Sequence, residues 1–250
     1  MTTSQTPTAQ EWRDKHRKAR QLNVVLAVLV VFLGLVVAAE YLPDESSGAA
    51  TSAQGEETAA DSDEQEEADY VRRDADDPMA IGDVDAPIVL SEWIDMRCPF
   101  CAVFSRDTLP VLVEEYVDTG RVRIEFHDVA YFGDESEDSA VAARAAGRQG
   151  RYVEFVTAVF DAAPERGHPE HDRDTLIGFA EEAGVPDIDR FTADLDDDEL
   201  RTQVQQNTSA SQQLGVNSVP FFVTRGRALA GAHPVDLFRD LLDDALTKVE

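Results

Sequence analysis

Cysteine is almost missing from this chain of 250 residues, which has two, Cys98 and Cys101. That excludes a multi-bridge disulfide scaffold, which needs more cysteines at wider spacing. A four-ligand zinc site would need a second Cys or His pair near the first. His168 and His171 have workable spacing but sit in a polar stretch rich in Pro, Glu and Asp, so no metal is expected. Lysine is nearly absent too, with Lys15, Lys18 and Lys248 alone. Positive charge of any kind is scarce: 22 Lys plus Arg stand against 50 Asp plus Glu, a formal net charge of −28. Such a chain repels phosphates, so nucleic acid is excluded as a partner. Hydrophobic residues reach 43%, enough for one sizeable core.

The charge is unevenly spread. In residues 1–21, Arg13, Lys15, Arg17, Lys18 and Arg20 face Glu11 and Asp14, leaving a basic tail of net +3. An unbroken apolar run from Val24 to Ala39 follows. Extended over 22–42, it approaches the roughly 20 residues that cross a bilayer as a helix. A buried core helix is one alternative, disfavoured because the run has no polar face and begins beside a basic cluster. The basic side stays cytoplasmic, so the rest of the chain is expected outside, on a single-pass anchor in the cell membrane. The alternative is a signal peptide cleaved near Ala39, because Val37-Ala38-Ala39 resembles a small-residue cleavage site. Residues 43–78 hold almost no large apolar side chains, and from Glu40 to Pro78 fourteen acids meet two arginines. Composition predicts a disordered, self-repelling acidic linker there.

Residues 79–250 carry the apolar periodicity of a folded domain. Ile88 to Ile94 predicts a strand buried on both faces. A helix is expected from Pro99, kinked at Pro110 and ended before Gly120. Val122–Phe126 alternates as a strand does. A mainly helical stretch spans about 136–214. Val219–Thr224 and Arg227–Ala230 predict a hairpin turning at Arg225-Gly226. Pro234 opens a last helix with Val235, Phe238, Leu241, Leu242 and Leu246 on its inner face.

The chemistry concentrates at Cys98-Pro99-Phe100-Cys101, a C-x-x-C between a strand and a helix. There the unpaired N–H groups and dipole of a helix N-terminus stabilise a Cys98 thiolate. Cys101 lies one turn in, close enough to attack a mixed disulfide. Half a zinc site or two structural cysteines are the alternatives, and the strand–helix context favours redox work. Glu92 stands inside an apolar strand, where a buried acid with a raised pKa accepts the proton lost by Cys101; an edge position facing solvent is its other reading. Val219-Pro220 precedes a strand, where a cis bond exposes backbone to an extended peptide; an ordinary trans proline is the alternative. His127 is read as a satisfied strand-end histidine without a partner at the site.

Gly82 to Pro87 leading into Cys98-Pro99-Phe100-Cys101 resembles the opening of the DsbA-like branch of the thioredoxin superfamily. Ala143 to Gly150, followed by Phe155 and Phe160, is similar to that family's helical insertion. Leu214 to Phe221 resembles its cis-proline loop, and Gly231-Ala232-His233-Pro234 the lead into its last helix. The resemblance implies an α/β, thioredoxin-like fold with a helical insertion. In it Cys98 attacks, Cys101 resolves, Glu92 is the buried acid, and Pro220, with Val219, Pro99 and Phe100, lines the substrate site. It implies no cofactor. The implied partners are exported proteins with free thiols and a quinone-linked membrane reoxidase of the DsbB or vitamin K epoxide reductase-like type. Two departures matter: Phe100 replaces the histidine of the strongly oxidising type, and Val219 stands where many relatives carry threonine. The expected activity is oxidation of cysteine pairs in exported proteins. A reductase or isomerase running the pair in the other direction, and a non-catalytic peptide-binding module, are the competing functions.

Overall fold

The computed structural model describes residues 70–249. The expected anchor over 22–42, the basic tail and most of the acidic linker lie outside the described residues. Among the described residues, no helix is long and apolar enough to cross a membrane.

Five strands form one sheet in the order β1-β3-β2-β4-β5: β1 Ala80–Ile81, β2 Ile88–Ile94, β3 Val122–Asp128, β4 Phe221–Thr224 and β5 Arg227–Ala230. β2 runs parallel to β3 and antiparallel to β4. Every residue of β2 is buried, as its nearly unbroken apolar run requires of a central strand covered on both faces. One face lies under α1, Pro99–Asp107, and α8, Val235–Thr247. There Phe104 of α1, Phe222 of β4 and Phe238 of α8 pack with ring centroids 4.5–5.0 Å apart. The other face meets α7, Asp198–Gln213, where the Trp93 indole donates to Ser211 Oγ at 2.8 Å. Phe104 is fully buried. Phe104→Ala should therefore cost about 3–5 kcal/mol, read as a lower urea midpoint at unchanged slope. A loss below about 1 kcal/mol would deny this aromatic cluster its place at the centre of the core.

The helix expected from Pro99 to Gly120 is broken. α1 ends at Asp107, Thr108 takes φ −110°, and α2, Leu109–Leu112, starts afresh with proline in its first turn. Pro110 has no N–H to return to the preceding turn, so it opens a helix instead of kinking one. A π-helical turn, Val113–Val117, completes the segment.

The helical insertion comprises α3 Asp134–Gly147, α4 Tyr152–Asp161, α5 Arg173–Glu182, α6 Ile188–Asp194 and α7. Asp172, Asp187 and Asp197 cap the last three through their side chains. α4 packs on α1, and Arg106 of α1 donates to the carbonyls of Phe160 and Ala163 at the end of α4.

Residues 70–78, assigned by composition to the linker, join the fold. The backbone N–H groups of Arg72 and Arg73 donate to the Glu125 carboxylate on β3 at 2.7 and 2.9 Å, and Arg123 donates to it at 2.8 Å. Glu125 is fully buried and needs these donors, a demand that local composition does not carry. β1 continues the segment as an antiparallel edge on β3. Gly82 follows at φ +98°, where a Cβ would fall 2.8 Å from the Val122 carbonyl oxygen, so only glycine fits.

Candidate active site

β2 aims its last residues at the head of α1. Cys98 is the N-cap of that helix, with φ −81° and ψ 116°, and Pro99 occupies the first turn. The Cys98 N–H donates to the Asp95 carbonyl at 2.9 Å, which closes the turn between strand and helix. Both cysteines are free thiols. Both are buried, Cys98 at 3% exposed and Cys101 at 0%, so Cys98 is the one that retains any surface. Phe100 between them is 62% exposed.

The environments of the two sulfurs differ. The Cys101 thiol donates to Cys98, which lowers the Cys98 pKa; burial works against this, and the N–H groups of Cys101 and Phe100 lower it further. Burial pushes Cys101 well up, and its bond to Cys98, the Cys98 charge and Glu92 add to the rise. One group is thus prepared to be a thiolate and the other to hold its proton.

Glu92 is 2% exposed and faces the covered side of the sheet that holds α1. Burial pushes its carboxyl well above the ordinary range, and Oε2 has no hydrogen-bond partner. The Val219–Pro220 bond is cis. Cys98 Sγ donates to the Val219 carbonyl at 3.4 Å, which brings the loop before β4 against the sulfur. Cys98, Cys101, Glu92, Val219, Pro99 and Phe100 therefore meet at one end of the sheet, with Pro220 directly after Val219.

His127 lies on the opposite face. It stacks on Trp93 at 4.6 Å and contacts Arg72. Burial first, then Arg72 and Arg144, drives its pKa well below the usual value. His168 stacks on Phe132 at 4.0 Å with Nδ1 3.0 Å from the Arg97 carbonyl, while His171 Nδ1 lies 2.8 Å from Ser139 Oγ. The two serve separate contacts, and among the described residues no His, Cys, Asp and Glu cluster could hold a metal ion.

Sequence reasoning missed Asp95 and Arg97. Asp95 is fully buried and bonded to groups on the loop after β3. Arg97 donates to the carbonyls of Phe132 and Pro169, each at 2.7 Å, and pairs with Glu135 at 2.8 Å. The one local signal was two charged residues at the end of an apolar strand, immediately before a redox-type motif.

A thioredoxin family model matches residues 74–244. Disulfide bond formation protein D of Bacillus subtilis is 21% identical over 168 residues, 66% of this chain and 76% of that one. A protein of Bacillus anthracis named "Probable disulfide bond formation protein D" is 26% identical over 175 residues, 68% of this chain and 79% of that one. Among solved structures, oxidised BdbD from Bacillus subtilis superposes with a TM-score of 0.63 at 20% identity, covering 68% of this chain and 92% of that one. Alpha-DsbA1 of Wolbachia pipientis gives 0.59 at 22% identity, with the same coverages. With this match over most of the folded region, the chain belongs to the thioredoxin family.

Proposed function

We propose that this chain is a protein-disulfide oxidoreductase that oxidises cysteine pairs in exported proteins through a Cys98–Cys101 disulfide. The observation that carries the reading is the split between a Cys98 that retains some surface and has a lowered pKa and an enclosed Cys101 with a raised one. A client thiolate attacks Cys98 Sγ, the Cys98–Cys101 bond breaks, and Cys101 leaves with the electron pair and takes a proton. The client's second thiolate then attacks the client sulfur of the mixed disulfide and expels Cys98 as a thiolate. The client becomes a disulfide, and the enzyme holds its two electrons as a dithiol. A low-pKa leaving group favours this direction.

Renewal requires an oxidant that accepts those electrons, for which a quinone-linked membrane reoxidase of the DsbB or vitamin K epoxide reductase-like type is the proposed partner. When the disulfide reforms, Glu92 accepts the proton lost by Cys101. The peptide of the client lies along Val219 and Pro220, beside exposed Phe100. The apolar run over 22–42 is proposed as the anchor that holds the domain outside the membrane, with secretion after cleavage near Ala39 as its alternative.

One labelling experiment on intact cells tests direction and location together. A membrane-impermeant maleimide should label little protein at first and label Cys98 after brief dithiothreitol treatment. Strong labelling before reduction would support the reductase reading. No labelling afterwards, with labelling restored by permeabilisation, would put the domain inside.

A further inference from the structure

The Asp95 carboxylate joins the loops around the nucleophile. It accepts from the Arg97 N–H at 2.9 Å, in the loop before α1, from the Tyr131 N–H at 2.7 Å, in the loop after β3, and from Ser136 Oγ at 2.9 Å, in α3. Its carbonyl takes the Cys98 N–H at 2.9 Å. The residue is 0% exposed. An acid is therefore built into the base of the loop that presents Cys98, and among the described residues no arginine or lysine side chain is bonded to its carboxylate.

We propose that Asp95 is a positioning residue for thiol exchange, which holds Cys98 at the head of α1 and sets a fixed negative charge against the Cys98 thiolate, limiting the oxidising strength of the pair. This rests on the proposed oxidoreductase reading. Cys101 in α1 bonds to Cys98, and Glu92 in β2 bears on Cys101. The Arg97 guanidinium is engaged by Glu135 in α3 and by two carbonyls. His168 and His171, from the loop before α5, contact the Arg97 carbonyl and Ser139. On the β4 side the loop presents Val219 and Pro220, which carry no charge. Asp95 itself acts on Cys98 through its charge, in the upward direction. Its own pKa is raised by burial, against which the N–H groups of Arg97 and Tyr131 and the Ser136 hydroxyl work. A negative neighbour disfavours the thiolate, and a less stable thiolate makes a weaker oxidant.

The test uses the full chain, reduced, with iodoacetamide alkylation of Cys98 followed by mass spectrometry across pH. Asp95→Asn should move the alkylation midpoint down by on the order of one pH unit. The glutathione equilibrium should move toward the dithiol by up to about tenfold. Ser136→Ala removes one bond to Asp95 but leaves the charge, so its midpoint should stay close to that of the parent. An unchanged or raised midpoint in Asp95→Asn overturns the proposal, as does an equal fall in Ser136→Ala, which would assign the effect to a loosened loop. These readouts need no client, so they stand apart from whether the chain oxidises exported proteins. If Asp95→Asn does not fold, carboxyl NMR of the parent protein decides. The Asp95 signal should show an inflection at the Cys98 midpoint in the dithiol that vanishes in the disulfide, and its absence from the dithiol refutes the coupling.

Discussion

Cys101→Ala protein should accumulate client proteins joined covalently to Cys98 and lose turnover to the level of the uncatalysed reaction. Exchange through a mixed disulfide needs two sulfurs with unequal duties. Cys98 sits at a helix N-terminus and is the one that retains any surface. Cys101, buried one turn further in, donates its proton toward Cys98 and so lies within reach of any mixed disulfide formed there. Without that second sulfur no Cys98–Cys101 disulfide forms and oxidation of clients stops; the Cys98 thiolate still opens a client disulfide in the reverse direction, and the adduct lacks Cys101 to attack it. On a non-reducing gel the adducts should appear as a ladder that dithiothreitol collapses. Cys98→Ala protein should form none. A ladder in Cys98→Ala protein, with Cys101 intact, would reverse the two roles.

The placement of the two cysteines was legible because its signals are local. Seven mostly apolar residues, Ile88–Ile94, bounded by Pro87 and Asp95, have the length and composition of a buried strand, and Cys98-Pro99 then marks a helix start. The positive φ of Arg225 and Gly226 likewise follows from a two-residue hairpin turn. What stayed hidden depends on partners far along the chain. Arg72 and Arg73 look like linker charges until Glu125, some fifty residues on, is seen to be buried and in need of N–H donors. β1 has two residues, too few for any periodicity, and exists because β3 offers it an edge. Asp95 resembles any acid at a strand end until Tyr131 and Ser136 arrive from beyond β3. At Pro110 the local rule named the right residue and the wrong outcome, since a proline that disrupts one helix is well suited to begin the next.

Glu92→Gln should slow client oxidation by about a hundredfold, in line with the loss of a placed proton carrier, and should also make the domain more stable at neutral pH. Both effects come from one placement. Glu92 is 2% exposed in β2, its Oε2 has no hydrogen-bond partner, and it bears on Cys101. Burial disfavours its charged form, so its folded pKa lies well above the ordinary 4.5 expected in the unfolded chain. Between those two values the folded state binds more protons than the unfolded one. Stability therefore falls as pH rises through that window, by about 1.4 kcal/mol per pH unit where the difference is a full proton. Glutamine has the same shape and no proton to lose, so the variant escapes this fall. Urea midpoints from pH 4 to 8 should diverge, with the variant ahead at the upper end. The same substitution leaves Cys101 without a proton donor when it departs during client oxidation, as well as without an acceptor when the disulfide reforms, so single-turnover rates should drop while Cys98 alkylation stays near that of the parent. Parallel stability curves would place Glu92 in a hydrated site, and an unchanged rate from pH 6 to 8 would leave it a structural residue of the core.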